Sequence, residues 1–202
     1  MSAIRACVCG ARKGMFFAEI FREEIVKRLK SERVISTYLD NDDALNVRFV
    51  TDLKQRALAA KDGTFFYYDK GVQYYDEERF ALQINYPRNH FVSVVEKGDS
   101  SNAKGVFGYG RHYYIDKIAG AVVEHVRSEP MWCEVVHEKN MINDANFLIG
   151  TRMVSDAELM RRNFSVDEKV NAGIGIHMFK FLLRYVKTFV KRAKHRLFGR
   201  QW

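Results

Sequence analysis

A strand-like run that ends in a burst of negative charge sets the tightest limit on this chain. Residues 33 to 39, RVISTYL, are β-branched and aromatic, the composition of a strand. They stop at Asp40-Asn41-Asp42-Asp43, three carboxylates in four positions. A buried strand cannot run on through unpaired charges, so the chain must leave the sheet here. Ligands of open α/β sheets gather beyond strand ends of this kind. Two carboxylates there can hold Mg²⁺ or Mn²⁺, hard ions that take oxygen ligands and bridge to phosphates. Asp and Asn are also ordinary turn residues, so a capped, solvated turn accounts for the tripeptide Asp40-Asn41-Asp42 as well. A calcium loop is excluded: counted from Asp40, the positions that need Gly and Glu hold Leu45 and Thr51.

The surrounding pattern predicts alternating elements. Phe17, Ile20, Phe21, Ile25 and Leu29 share the spacing of an amphipathic helix over 16–31. Asp43 stands before ALNVRFVTDLKQRALAA, where its carboxylate is expected to cap a helix. TFFYYDKGVQYYD reads as a hairpin turned at Asp69-Lys70-Gly71. FALQINYP, HFVSVVEK and MWCEVVHE read as strands, HYYIDKIAGAVVEHVRS as a helix, and 140–164 as loop with short helix. Together these predict an α/β fold with a mixed sheet.

Bulk properties narrow the function classes. With 202 residues and 47% hydrophobic content the chain can bury a sizeable core as one domain with an appendage. Three cysteines give no disulfide framework, and CVC lacks the second pair a zinc knuckle needs. A reducing, cytoplasmic setting is the default. No signal-peptide run and no stretch of 18 uncharged apolar residues stand in the sequence, so no spanning helix is expected. The net charge of +8 is confined to the tail: residues 177–202 hold eight Lys or Arg and no acid, leaving 25 basic against 25 acidic residues elsewhere. A neutral body argues against a nucleic-acid groove, and a basic amphipathic helix over about 173–202 suits the inner face of an anionic membrane. A helix whose apolar stripe packs on the body, with its charges in water, is the competing reading.

Four blocks in order carry a family resemblance. ISTYLDNDDALNVRFVTDL, FFYYDKGVQYY, HFVSVVE and PMWCEVVHEKNMIND supply a Leu-Asp-Asn-Asp-Asp-Ala strand end, a Gly-x-Gln-Tyr hairpin, a Phe-x-Ser-x-x-Glu strand and a Trp-x-x-Val-x-His strand followed by Asn. This set resembles the bacterial rhamnosyltransferase-like family of GT-A glycosyltransferases over roughly residues 33 to 155. The resemblance implies a GT-A-like core over 1–172 that moves a sugar, rhamnose by the family's label, from a nucleotide-diphosphate donor to a cell-surface glycan. Asp42 would then be the direct ligand of Mn²⁺ or Mg²⁺. Asp40 would face the donor ribose or a metal-bound water, and His137 would be a third ligand or a diphosphate contact, with a satisfied buried histidine as the competing reading. Asp43 would either support the metal site or only start a helix. For the base that takes the acceptor's proton, Glu96 comes first, with Asp116 and Glu134 behind it; Glu96 is also readable as a plain surface residue at a strand end. Trp132 would stack on a sugar or belong to the core. GT-A folds place a longer nucleotide-binding half ahead of the Asp-x-Asp than the 39 residues here, which implies a shortened front and leaves an inactive remnant or a membrane-associated binding protein of the same fold as an alternative.

The glycine-bearing segment KGVFGYGR, 104–111, has three readings: a plain loop, a lid in which Gly108 and Gly110 close over a sugar nucleotide, and a pyrophosphate loop of an acetyl-CoA-dependent acetyltransferase. Lys104 is one place off for the last of these.

Overall fold

A computed structural model describes residues 17–28, 31–76, 79–98, 103–137, 152–154 and 157–166, with the single positions 179, 183, 186 and 190. In chain order it holds helix α1 (Phe17–Arg28), strands β1 (Arg33–Thr37) and β2 (Ala44–Leu45), and helix α2 (Phe49–Ala59). Strands β3 (Thr64–Tyr68), β4 (Lys70–Tyr75), β5 (Phe80–Asn85) and β6 (Ser93–Lys97) follow. Two 3₁₀ turns (Val106–Tyr109 and His112–Lys117) lead into β7 (Val122–Val126) and β8 (Trp132–Val136), and then come β9 (Arg152–Val154) and α3 (Ala157–Phe164).

The strands make a mixed α/β structure of two mixed sheets, in the orders β1-β6-β3-β7 and β2-β8-β4-β5-β9. β3 and β4 run on from one another and form the spine of both. Each has one parallel neighbour, β7 beside β3 and β8 beside β4, and the other pairings are antiparallel. All five residues of β3 are buried, as a continuous aromatic run requires when both faces of a sheet are covered. Phe66 and Tyr68 face Phe49, Leu53 and Ala57 of α2. Phe65 and Tyr67, on the opposite face, meet Val106 and Ile115 of the 3₁₀ turns. Further along, Val72, Tyr74 and Cys133 pack against Met160 and Phe164 of α3.

Local chemistry fixes the ends of α2. Asn46 accepts from Arg48 N at 2.9 Å through its side chain and from Phe49 N at 2.8 Å through its carbonyl. At the other end Arg33 donates to the carbonyls of Ala57 and Ala60 at 2.5 and 2.6 Å, placing a guanidinium on the negative pole of the helix.

Three expectations are corrected. Asp43 does not cap a helix: Ala44–Leu45 is a short strand on β8, and α2 starts only at Phe49. Asp69-Lys70-Gly71 is not a hairpin turn. There the chain passes straight from one sheet to the other, with Asp69 N donating to Val126 O and Tyr86 N to Asp69 O. The hairpin is formed instead by β4 and β5. Asp69 is buried within this junction, and His125 Nδ1 lies 2.8 Å from its carboxylate. Finally, the segment starting at His112 is not one helix. Its 3₁₀ turn ends before Gly120 (φ 78°), and the β-branched run after it becomes β7, parallel to β3. The C-terminal helix expected over 173–202 lies largely outside the described residues; the four described positions are helical.

Gly71 is where the indole of Trp132 lies against the backbone. A Cβ added there would fall inside the ring. Gly71→Ala is therefore expected to cost about 3 kcal/mol or more by overpacking. Urea unfolding of the variant measures this, and a midpoint equal to wild type would show that the close approach is not maintained.

Candidate functional site

The acidic stretch leaves β1, turns, and enters β2. Asp43 N donates to Asp40 O at 3.3 Å across the turn, and Ala44 then pairs with Cys133 of β8. The facing segment is the loop ahead of β6. Buried Asn89 holds it, donating to the carbonyls of Tyr68 (2.9 Å) and Tyr86 (2.7 Å) and accepting from Phe91 N at 3.0 Å. Phe91 stacks on Trp132, with ring centroids 4.8 Å apart. Between these pinned neighbours, His90 turns its ring towards the acids.

Asp40, Asp43 and His90 come together there, each offering a ligand atom within 4.8 Å of the others. His90 Nε2 is 3.0 Å from Asp43 Oδ2, while Asp43 Oδ1 accepts from Val135 N at 2.9 Å. Glu134, next along β8, is buried and accepts from Gln73 Nε2 at 2.6 Å. Tyr75 in turn donates to Gln73 Oε1 at 3.1 Å.

The electrostatics follow from three carboxylates around one imidazole. Burial, and then the charges of Asp43 and Asp42, push the Asp40 carboxyl up, against the pull of His90 and of Tyr38, which donates to it. Burial also raises Glu134, helped by Asp43 and Asp40 and opposed by Gln73 and His90. For His90 burial works downwards, but the bond to Asp43 and the charges of Glu134, Asp43 and Asp40 outweigh it, so its pKa is raised. Burial first, and neighbouring negative charge second, thus hold two carboxyls above their ordinary range. The donor set of two carboxylates and an imidazole suits Mn²⁺ or Mg²⁺. His90 must give up its proton before it can ligate.

The structure divides the residues that the sequence put forward. Asp40 belongs to the cluster, and so does Asp43, in place of a helix cap. Asp42 and His137 pair with one another instead, at 3.0 Å and half-exposed, so Asp40, Asp42 and His137 do not form one ligand set here. Glu96 sits on β6 opposite Val34, well down the sheet from Asp40, and is buried. Its carboxylate accepts from Lys104 N (2.9 Å), Gly105 N (2.8 Å) and the Tyr109 hydroxyl (2.9 Å). It is the anchor of the glycine segment, and both its oxygens are engaged by that segment. Asp116 forms an ion pair with Arg88 at 2.6 Å, also away from the cluster. Trp132 is core: fully buried, it donates to Tyr68 O at 2.7 Å.

Gly108 and Gly110 lie in and after the first 3₁₀ turn, and their N–H groups donate to Gly105 O and Phe107 O. With Lys104 and Gly105 N–H on Glu96, and Val106 N–H on Ser36 Oγ at 2.8 Å, this backbone is already engaged. It offers no free row of N–H groups to a pyrophosphate. The loop does bind an anion, but the anion is the chain's own Glu96.

His90 is the residue that sequence reasoning missed. Its signal lay in the strand register. Thr37 faces Ser93, and Tyr38 N donates to Val92 O. Three residues past Thr37, the same register sets Asp40 opposite His90.

Compared with family models, with curated proteins and with solved structures, the chain matches none.

Two outcomes test these assignments. Glu96→Ala leaves buried N–H groups without an acceptor and is expected to cost about 3 kcal/mol. It should speed proteolytic cutting between Gly98 and Gly110, whereas a catalytic Glu96 would give a stable, inactive protein. His112 titrates in the opposite sense to His90: burial and the nearby His90 push it down to about 4. The folded state thus refuses a proton that the unfolded state takes up near 6.5, and stability falls as pH drops from there towards 4. Between pH 6.5 and 5, His112→Asn should lose about 1 kcal/mol less than wild type in chemical unfolding.

Proposed function

We propose that the chain is a metal-dependent glycosyltransferase of GT-A type, which moves a sugar from a nucleotide-diphosphate donor to a glycan hydroxyl. The observation that carries this reading is the convergence of Asp40, Asp43 and His90 where β1 ends. Asp40, Asp43 and His90 would hold Mn²⁺ or Mg²⁺. A bound divalent ion of this kind neutralises the charge that grows on a departing diphosphate. This differs from the set implied by the resemblance: Asp43 and His90 take the places of Asp42 and His137.

The chain's own residues divide the remaining work. Val135 N–H holds one oxygen of Asp43, and the pinned loop at Asn89 and Phe91 holds His90, so the donor side is rigid before any ligand arrives. Glu134, whose charge acts on His90, would take the proton from the acceptor hydroxyl in preference to Glu96. Its raised pKa gives it the proton affinity that a general base needs, and Gln73 fixes its orientation. Asp42 and His137 form an exposed pair beside the same turn, where a polar donor group can be met.

Titration calorimetry with Mn²⁺ and either UDP or dTDP tests the donor side. Asp43→Asn and His90→Ala should each weaken Mn²⁺-nucleotide binding by about 10- to 100-fold, with Asp42→Asn much milder. Equal affinity of Asp43→Asn and wild type would sink the metal assignment. Affinity should also climb as pH rises through the raised His90 pKa, because the proton on Nε2 competes with the metal. Glu134→Gln should keep nucleotide binding and lose sugar transfer; loss of both would return Glu134 to a supporting role.

A further inference from the structure

The four described positions beyond residue 166 are Phe179, Leu183, Val186 and Val190; all are helical and all are exposed, between 45% and 60%. Their spacing of four, three and four residues puts them on one stripe of a helix. An apolar stripe of this length left in water has no reason to persist unless something covers it. The sequence around it names the chemistry of the cover. Each of the four is followed directly by a basic residue: Lys180, Arg184, Lys187 and Lys191. No acid occurs anywhere from 177 to 202.

We infer that the C-terminal segment is an interfacial anchor that seats its apolar stripe in a membrane of anionic phospholipid. Lipid answers both halves of the pattern, acyl chains for the stripe and headgroup phosphates for the flanking charges. A nucleic acid would meet the charges but leave Leu183, Val186 and Val190 in water. A second copy of the chain would cover the stripe but bring two rows of eight like charges together. Eight Lys or Arg within 26 residues are too many charges for a bilayer core, so the sequence suits a surface seat and not a span. The inference does not rest on the catalytic reading.

Vesicle flotation of the full chain tests it, without metal or nucleotide, so its failure and the failure of the transferase reading are separate results. Wild type should float with vesicles of three parts phosphatidylcholine to one part phosphatidylglycerol and stay behind with pure phosphatidylcholine. Each surface charge changes the partition about fivefold, so replacing Lys187, Lys191, Lys194 and Arg196 together by Gln should weaken it by several hundredfold. Leu183→Gln with Val190→Gln keeps every charge and should still cut binding at least tenfold, an effect that electrostatic attraction alone does not give. Thermal melting of each variant at the wild-type temperature confirms that the body is intact. Absence of wild-type flotation, flotation unchanged in either variant, retention of a DNA duplex in place of vesicles, or self-association through the same stripe would each overturn the proposal.

Discussion

From Thr64 to Tyr75 only Lys70 has appreciable exposure, and both sheets are hung on that stretch. A strand with water on neither face must satisfy every backbone group from its neighbours. β6 and β7 do this for the first half and β5 and β8 for the second. The change of partners falls at Asp69, whose buried carboxylate would be costly without His125 beside it. The acidic corner depends on the same arrangement. β1 reaches it through β6, β2 reaches it through β8, and His90 is carried on the segment that joins β5 to β6. The corner is thus a place where strands from both sheets end near one another.

Negative charge is used in two opposite ways. Glu96 is satisfied from within: three donors of the 104–109 segment close around its two oxygens, so the carboxylate stabilises a loop. Asp40, Asp43 and Glu134 share one imidazole and have one further donor each, from Tyr38, Val135 N and Gln73, and burial first and like charge second raise the carboxyls of Asp40 and Glu134. The difference is the number of donors that the surrounding backbone supplies. That number separates a structural carboxylate from one available for chemistry better than residue type or position in a motif does.

Much of this was legible in the sequence where the local pattern and the tertiary demand agree. The β-branched and aromatic runs at 33–37, 64–68, 93–97 and 132–136 are strands in the structure. The helix at 17–28 follows its apolar spacing. Errors arose where one residue type serves two purposes. The glycine in Asp69-Lys70-Gly71 looks like a turn residue, yet it makes room for an indole more than sixty positions away. Asp43 looks like a cap because it precedes a helix-forming run, but Ala44 and Leu45 gain more by pairing with β8. Of the corner, the acids were visible because they are adjacent in sequence. His90 was not, because only a strand register brings it there, and a register cannot be read until the partner strand is known.

The Gly71–Trp132 contact has a bearing on how sequences of this fold can drift. Any side chain at 71 meets the ring at 132, so the two sites cannot change independently. A substitution at 71 becomes tolerable only after the indole has shrunk. Shrinking it first removes the stacking partner of Phe91, and with it part of what holds His90 in place. The order of change is therefore constrained, and every intermediate on that path has a loosened acidic corner. Divergent relatives should keep the small residue and the large one as a pair, or replace both together with the loop that carries the histidine.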